Sequence, residues 1–217
     1  MPTFHTAARF PGYMWLARKY GSFTMIPPAV FVANLATAQK YSDVPGCVVE
    51  CGVWRGGMIA GMAEVLGPDR RYVLFDSFEG LPPAQAIDGT SAQAWQANTN
   101  AAGYHDNCRA EMAHAERAMR LAGATRAELV KGWFDQSVPT FKFDEPIAVL
   151  RLDGDWYEST MTCLEALFDR VHPEGVIILD DYYVWDGCSR AVHRFLADRE
   201  STARIDRSFH YVCVIKK

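Results

Sequence analysis

The alternation of short apolar segments with helical segments constrains the fold of this chain more than any other sequence feature. Five apolar segments lack the polar alternation of a one-sided sheet, which is typical of strands that are covered on both faces. They occupy residues 47–52, 71–76, 128–132, 147–153 and 175–180. Amphipathic or alanine-rich helical patterns separate these segments. The sequence therefore predicts right-handed βαβ units in a doubly wound α/β sheet.

The two ends of the chain and one internal segment depart from this alternation. Residues 203–207 and 210–217 are β-like with almost no spacer, which predicts an antiparallel hairpin at one edge of the sheet. Residues 1–45 predict a helical lead-in to a domain over 46–217, with proline in the first turn of a helix that follows Pro27. Residues 81–106 predict a long irregular loop, which we interpret as a lid.

Two further helix boundaries are predicted from the pattern of apolar residues. Cys108 and Met119 lie near helical spacing, and Gly123 ends that segment. A second helix is predicted over residues 160–171, ended by a turn at residues 172–175.

Composition limits the classes of function. The chain has 217 residues, 49% of them hydrophobic, and a net charge of −4, which together predict one globular domain and no nucleic-acid partner. Six cysteines form neither a C-x-x-C pair nor a zinc spacing. The sequence shows no signal-peptide pattern and no membrane-length apolar stretch. We expect a cytoplasmic protein with reduced thiols and no membrane partner.

A glycine-containing turn follows the first predicted strand and indicates a cofactor site. The turn spans residues 50–57 (ECGVWRGG), and its candidate contacts are Glu50, Gly52, Arg55 and Gly57. Asp76, followed by Ser77, ends the second strand 24 positions after Gly52. An acidic residue at about this separation from a glycine turn suits hydrogen bonds to ribose hydroxyls. A plain strand-to-helix turn and a helix-capping Asp76 are the competing interpretations.

Glu50 favours one ribose-bearing cofactor over another. A carboxylate beside a dinucleotide pyrophosphate would be repelled, whereas one beside the positively charged amino-acid end of S-adenosylmethionine would be tolerated. We therefore favour S-adenosylmethionine over NAD. Trp133 follows the third strand and is a candidate wall for an adenine ring, unless it serves only in rim packing.

Four aspartates follow the fourth and fifth strands: Asp153, Asp155, Asp180 and Asp181. Without a counter-charge they would repel one another and raise their pKa values. An all-oxygen set favours Mg²⁺ over Zn²⁺. The competing interpretation is that some of them cap helices or pair with Arg151 or Arg190. His105, in the lid segment, is a candidate base or a solvent-exposed loop histidine.

Five motifs in order resemble the macrocin O-methyltransferase family, over roughly residues 25–217. They are ECGVWRGG (50–57), FDSFEGLP (75–82), KGWF (131–134), LDGDWY (152–157) and DDY (180–182). The resemblance implies a class I methyltransferase sheet of seven strands, S-adenosylmethionine and Mg²⁺ as cofactors, and methylation of a natural-product sugar. It places the metal ligands at Asp153, Asp180 and Asp181, with the cofactor at the glycine turn and Asp76. It also implies a homo-oligomer.

The resulting hypothesis is a Mg²⁺-dependent O-methyltransferase that acts on a small glycosylated substrate in antibiotic biosynthesis. Asp153 is the predicted base, with His105 in reserve. A catechol-type acceptor satisfies the same chemistry, because two adjacent oxygens on Mg²⁺ serve either acceptor. An NAD-dependent oxidoreductase and a non-catalytic cofactor- or metal-binding subunit are the competing hypotheses.

Overall fold

The central element of the protein is a mixed β-sheet. A computed structural model describes residues 10–101, 103–209 and 212–216. Within them seven strands, numbered β1 to β7 along the chain, lie in the order β3-β2-β1-β4-β5-β7-β6, and only β7 runs antiparallel to the other strands. The α/β class and the seven strands with an antiparallel C-terminal hairpin are confirmed. Residues 1–9 of the predicted lead-in and residues 210, 211 and 217 of the predicted hairpin lie outside the described residues.

The strands are Cys47–Cys51 (β1), Arg71–Asp76 (β2), Arg126–Lys131 (β3), Ile147–Leu152 (β4), Val171–Leu179 (β5), Arg204–Ser208 (β6) and Val212–Lys216 (β7). The α-helices of the described part are Phe10–Lys19 (α1), Pro28–Gln39 (α2), Gly57–Leu66 (α3), Thr90–Ala97 (α4), Met112–Leu121 (α5), Phe134–Ser137 (α6), Tyr157–Leu167 (α7) and Asp186–Asp198 (α8). Short turns lie at Ala86–Asp88, His105–Cys108 and Phe168–Arg170.

Alternate residues of the central strands pack against helices on opposite faces of the sheet. Val48 belongs to a core formed with α1, α2, α3 and α5. Val49 belongs to a second core, formed with α7 and α8. Because both faces are covered, β1 is buried at every position, as a central parallel strand requires. None of the helices in the described part is long and apolar enough to span a membrane.

Two boundary predictions are wrong at residues 160–175. Helix α7 ends at Leu167, and β5 begins at Val171, so the predicted turn at residues 172–175 lies inside a strand. The register against β4 shifts between Ile147 and Val149, where β5 carries the extra residues of a bulge. Pro173 lies in that bulge. A proline is tolerated there because it lacks a backbone N–H, and a bulge residue does not have to donate one to the neighbouring strand.

Two more predictions concern the lid segment. Residues 81–106 are not wholly irregular, because they contain α4. Cys108 does not belong to a helix with Met119: α5 starts at Met112, after four consecutive residues with left-handed φ angles of 46–61°. Such angles are disfavoured for residues with a Cβ, so the turn interrupts the helical pattern.

Gly52 allows the ends of β1 and β4 to meet. It has a φ of +88°, and a Cβ there would overlap the carbonyl carbon and oxygen of Asp153. Gly123, with a φ of +69°, ends α5 in open space. A side chain at Gly123 would therefore suffer only an unfavourable backbone conformation, whereas one at Gly52 would also overlap neighbouring backbone atoms.

We predict that Gly52→Ala lowers the free energy of unfolding much more than Gly123→Ala does. The control variant Gly123→Ala should lose about 1–2 kcal/mol of unfolding free energy, because alanine there must adopt a left-handed conformation. Gly52→Ala should lose more than about 3 kcal/mol, because strain is joined by overlap with backbone. Urea unfolding followed by circular dichroism measures both values, and equal losses would show that the strands do not depend on this close approach.

Candidate active site

Two adjoining cavities lie at the carboxyl ends of the parallel strands, where ligands bind in open α/β sheets. The first has a volume of about 440 Å³ and the second about 540 Å³. They share Met25, Gly52, Trp54, Cys108, Asp153 and Asp155 as lining residues. A ligand in one cavity would therefore meet a ligand in the other beside Asp153 and the glycine turn.

The first cavity brings together most of the predicted cofactor residues. Gly52, Asp76, Ser77, Trp133 and Asp153 line it. These residues follow or end four different strands, and the parallel pairing of β4, β1, β2 and β3 brings them to one edge of the sheet.

Asp76 holds the glycine turn in shape. Its Oδ2 accepts hydrogen bonds from the backbone N–H groups of Val53 and Trp54, both at 2.8 Å, and its Oδ1 accepts one from Phe78 at 2.6 Å. Burial raises the pKa of the Asp76 carboxyl, and these three donors oppose that shift. The structure thus gives Asp76 a role in capping the turn, in addition to its place in the cavity wall.

Arg55 and Gly57 belong to the glycine turn but line neither of these two cavities. The Arg55 guanidinium lies 4.3 Å from the ring centroid of Trp54. The N–H of Gly57 donates to the carbonyl of Phe23 at 2.9 Å, and a Cβ at Gly57 would lie 2.6 Å from the same oxygen. Both residues therefore support the turn, and their predicted contact with a cofactor stays a prediction.

Arg151 is fully buried and joins three carboxylates from three segments. Its Nη1 donates to Glu50 Oε1 at 2.6 Å and to Asp153 Oδ2 at 2.8 Å, and its Nη2 forms an ion pair with Asp180. Its Nε donates to Asn34 Oδ1 at 3.3 Å. Pairing of the aspartates with Arg151, which the sequence left open, therefore occurs for two of the four.

Glu50 lines the second cavity and is 1% exposed. Burial raises the pKa of its carboxyl to about 7, against the opposing effect of Arg151. Among the described residues, its Oε2 has no hydrogen-bond partner. A buried oxygen of this kind favours a ligand that brings a donor or a positive charge.

Three carboxylates lie close enough to share one cation: Asp153, Asp155 and Asp181, each offering an oxygen within 4.8 Å of the others. Asp180, which the resemblance placed in this set, is instead held by Arg151. Burial raises the pKa of Asp153 to about 6 and that of Asp155 to about 8, and it raises that of Asp181 well above its usual value. For Asp155 and Asp181 the neighbouring carboxylates are the next largest cause.

The second cavity is mainly apolar away from these carboxylates. Its walls come from the segment before α2, from the lid and from the segment before α8, including Phe23, Ile26, Val30, Trp95, Val184 and Trp185. His105 also lines it and is exposed, with its ring 6.0 Å from that of Trp54. The structure therefore places His105 at the second cavity and Trp133 at the first.

Sequence reasoning did not anticipate two contributions to the site. Met25 and its neighbours form a wall of the second cavity, although they lie outside the predicted sheet. Asn34 supports Arg151 from α2. The sequence does carry a signal for such a network: Arg151 interrupts an apolar strand, and a buried cation requires partners.

The sheet topology is that of the class I methyltransferase fold, and comparisons with known proteins agree. NovP, described as an O-methyltransferase, superposes with a TM-score of 0.73 at 26% identity, covering 90% of this chain and 82% of its own. The calicheamicin methyltransferase CalS11 shares the fold at a TM-score of 0.66 and 19% identity, covering 100% of this chain and 94% of its own.

The chain belongs to the macrocin-O-methyltransferase (TylF) family, whose model matches residues 22–215. The 8-demethyl-8-(2,3-dimethoxy-alpha-L-rhamnosyl)-tetracenomycin-C 4'-O-methyltransferase of Streptomyces olivaceus is 37% identical over 70% of this chain and 58% of its own length. The mycinamicin III 3''-O-methyltransferase of Micromonospora griseorubida is 34% identical over 70% of this chain and 61% of its own. The chain spans about three fifths of the length of these curated relatives.

We predict that Asp155→Asn stabilises the metal-free protein in EDTA, increasingly as the pH rises. The Asp155 pKa of about 8 exceeds its unfolded value of about 3.9, so its contribution to stability is present below about pH 4 and is lost as the pH rises through 8. Asparagine keeps the oxygen that accepts from Trp185 Nε1 but does not titrate. At pH 8 the gain should exceed about 1.4 kcal/mol, the equivalent of one pKa unit.

Urea unfolding at pH 5 and pH 8 measures this difference. The control Asp198→Asn removes an exposed carboxylate that pairs with Arg194, and its effect should stay below about 0.5 kcal/mol. A wild-type protein that is more stable than Asp155→Asn at pH 8 would contradict the prediction.

Proposed function

We propose that this protein transfers a methyl group from S-adenosylmethionine to a hydroxyl of a sugar in a natural product, with a divalent cation in its site. One observation carries the proposal: the carboxylates of Asp153, Asp155 and Asp181 lie where two cavities meet, in a chain of this family. Methyl transfer requires a donor and an acceptor to be held in line, which two adjoining cavities provide.

The first cavity suits the methyl donor. The glycine turn lets a ligand approach the backbone, and Trp133 offers a face to a purine ring. Glu50 lines the second cavity, but it lies only two residues before Gly52, which lines both cavities, and its unpartnered Oε2 is suited to the ammonium group of the donor. These features favour S-adenosylmethionine over NAD, whose pyrophosphate this carboxylate would repel.

The donor set suits a hard divalent cation. Asp153, Asp155 and Asp181 offer only oxygen, which Mg²⁺ prefers, and their raised pKa values reflect a repulsion that a cation would relieve. When bound, such an ion would lower the pKa of an acceptor hydroxyl. We keep Asp180 as a further candidate ligand, because it lies next to Asp181 and would be available if its pairing with Arg151 changed.

Asp153 is the residue that we assign to proton transfer. When bound, the donor would supply a methyl group whose carbon–sulfur bond breaks as the carbon–oxygen bond to the acceptor forms, and the Asp153 carboxylate would accept the hydroxyl proton. Arg151 holds one oxygen of Asp153 at 2.8 Å and fixes its orientation. With a pKa of about 6, Asp153 would be mostly ionised at neutral pH and able to accept a proton.

The second cavity suits the acceptor. Its apolar walls favour a sugar that carries an apolar group, and the tetracenomycin relative is named for methylation of a rhamnosyl compound. A catechol-type acceptor is the second candidate, because aromatic walls also accommodate a planar ring. The proposal includes a cytoplasmic location and a homo-oligomer, both expected from the sequence and the family resemblance.

We predict that the protein binds S-adenosylhomocysteine and binds NAD far more weakly. Trp133→Ala should weaken binding of S-adenosylhomocysteine roughly 3- to 10-fold, the value of one aromatic contact. Trp15→Ala, at an exposed position that lines neither cavity, should leave the affinity unchanged. Isothermal titration calorimetry measures these affinities. Tight NAD binding without binding of S-adenosylhomocysteine would favour the oxidoreductase instead.

We also predict that Asp153→Asn lowers kcat by about 10²- to 10⁴-fold, the usual contribution of a general base. Wild-type protein in EDTA should lose activity and regain it with Mg²⁺. Mass spectrometry of methylated glycosides measures turnover, and Asp198→Asn serves as the surface control. Full activity of both Asp153→Asn and EDTA-treated wild type would exclude the assigned base and the cation together.

A further inference from the structure

Three tryptophans from separate segments pack against one another beside the carboxylates. Trp95 belongs to α4 in the lid segment, Trp156 precedes α7, and Trp185 precedes α8. The ring centroids lie 5.3 Å apart for Trp156 and Trp185, 6.0 Å for Trp95 and Trp185, and 6.3 Å for Trp95 and Trp156. All three pairs meet edge to face, the arrangement that aromatic pairs favour. Trp95 and Trp185 also line the second cavity, but the proposed methyl transfer gives the hydrogen bonds of these indoles no role.

Trp185 acts directly on one member of the carboxylate set. Its Nε1 donates to Asp155 Oδ1 at 2.8 Å, while the backbone N–H of Asp155 donates to Asp181 Oδ2 at 3.0 Å. Asp155 has a φ of +57°, a conformation that a residue with a Cβ keeps only when its surroundings impose it. The indole N–H and the Asp181 carboxylate are two such constraints, and together they orient the Asp155 side chain.

Trp156 connects the same rings to the start of the lid. It is 2% exposed, and its Nε1 donates to the carbonyl of Pro82 at 2.9 Å. The next residue, Tyr157, donates its backbone N–H to Asp88 Oδ1 at 2.7 Å. The lid segment is therefore fastened to the loop that carries Asp153 and Asp155 at two points, and Trp95 adds its ring as a third.

We propose that Trp185 is a positioning residue for the cation site. Its N–H keeps the Asp155 carboxylate turned toward Asp153 and Asp181, and Trp95 packs against its ring when the lid is seated. Occupancy of the cation site thus depends on the lid through one hydrogen bond and one cluster of rings. This inference rests on the proposed function, because it requires that the carboxylates hold a divalent ion.

The test is the affinity of the full chain for Mn²⁺ alone, measured by electron paramagnetic resonance without cofactor or acceptor. Trp185→Phe keeps the ring packing and removes the donor, and it should weaken Mn²⁺ binding by about tenfold, as the loss of an outer hydrogen bond to a metal ligand does. Trp95→Leu should weaken it less, in the same direction. Trp15→Phe, at a position that is 58% exposed, is the matched control and should change nothing.

A double-mutant cycle with Asp155→Asn separates positioning from general loss of structure. If Trp185 acts through Asp155, then Trp185→Phe has no further effect on Mn²⁺ affinity in the Asp155→Asn background. Additive losses, or an unchanged affinity in Trp185→Phe, would overturn the inference while the proposed function stands. Wild-type protein that fails to bind Mn²⁺ would overturn the cation part of the proposed function and this inference with it.

Discussion

The ion pairs of Arg151 are the interaction on which the site depends. One guanidinium without solvent exposure pairs with Glu50, Asp153 and Asp180. Glu50 lies near the end of β1, and the two aspartates follow β4 and β5. Breaking such a network by removal of one partner leaves uncompensated buried charge, which is far more unfavourable than never forming it. Arg151 therefore allows β1, β4 and β5 to bring these three carboxylates together in the protein interior.

The ion pairs of Arg151 also determine which carboxylates remain available to bind a cation. Arg151 occupies Asp180 and one oxygen of Asp153, and the charges of Asp155 and Asp181 have no comparable neutralisation among the described residues. Their pKa values rise because burial and mutual repulsion both disfavour the ionised form. A protein that keeps such groups gives up stability at neutral pH, and strained or destabilised residues of this kind concentrate at functional sites.

The sequence was sufficient to predict features that depend on local composition. Apolar segments such as residues 147–153 predicted buried parallel strands. The sequence also predicted that Gly52 and Asp76 lie at neighbouring strand ends, and both line the first cavity. The failures share a physical cause: they depend on partners distant in sequence. The wrong boundary at residues 172–175 follows from the bulge at Pro173, which depends on pairing with β4. The pairing of Asp180 with Arg151, which the sequence left open, likewise depends on a residue of another strand.

The N-terminal segment shows how such distant partners make one site from several elements. Phe23 accepts the N–H of Gly57 and lines the second cavity, while Asn34 on α2 supports Arg151. Lys19 and Tyr20 both contact Glu64 on α3, the helix that begins at the end of the glycine turn. These contacts hold the N-terminal segment against α3. A shift of the lead-in would therefore move a cavity wall and a hydrogen-bond partner of Arg151 together. The lead-in is thus part of the site itself, because it forms a wall of the second cavity and supports the guanidinium that holds three carboxylates lining that cavity.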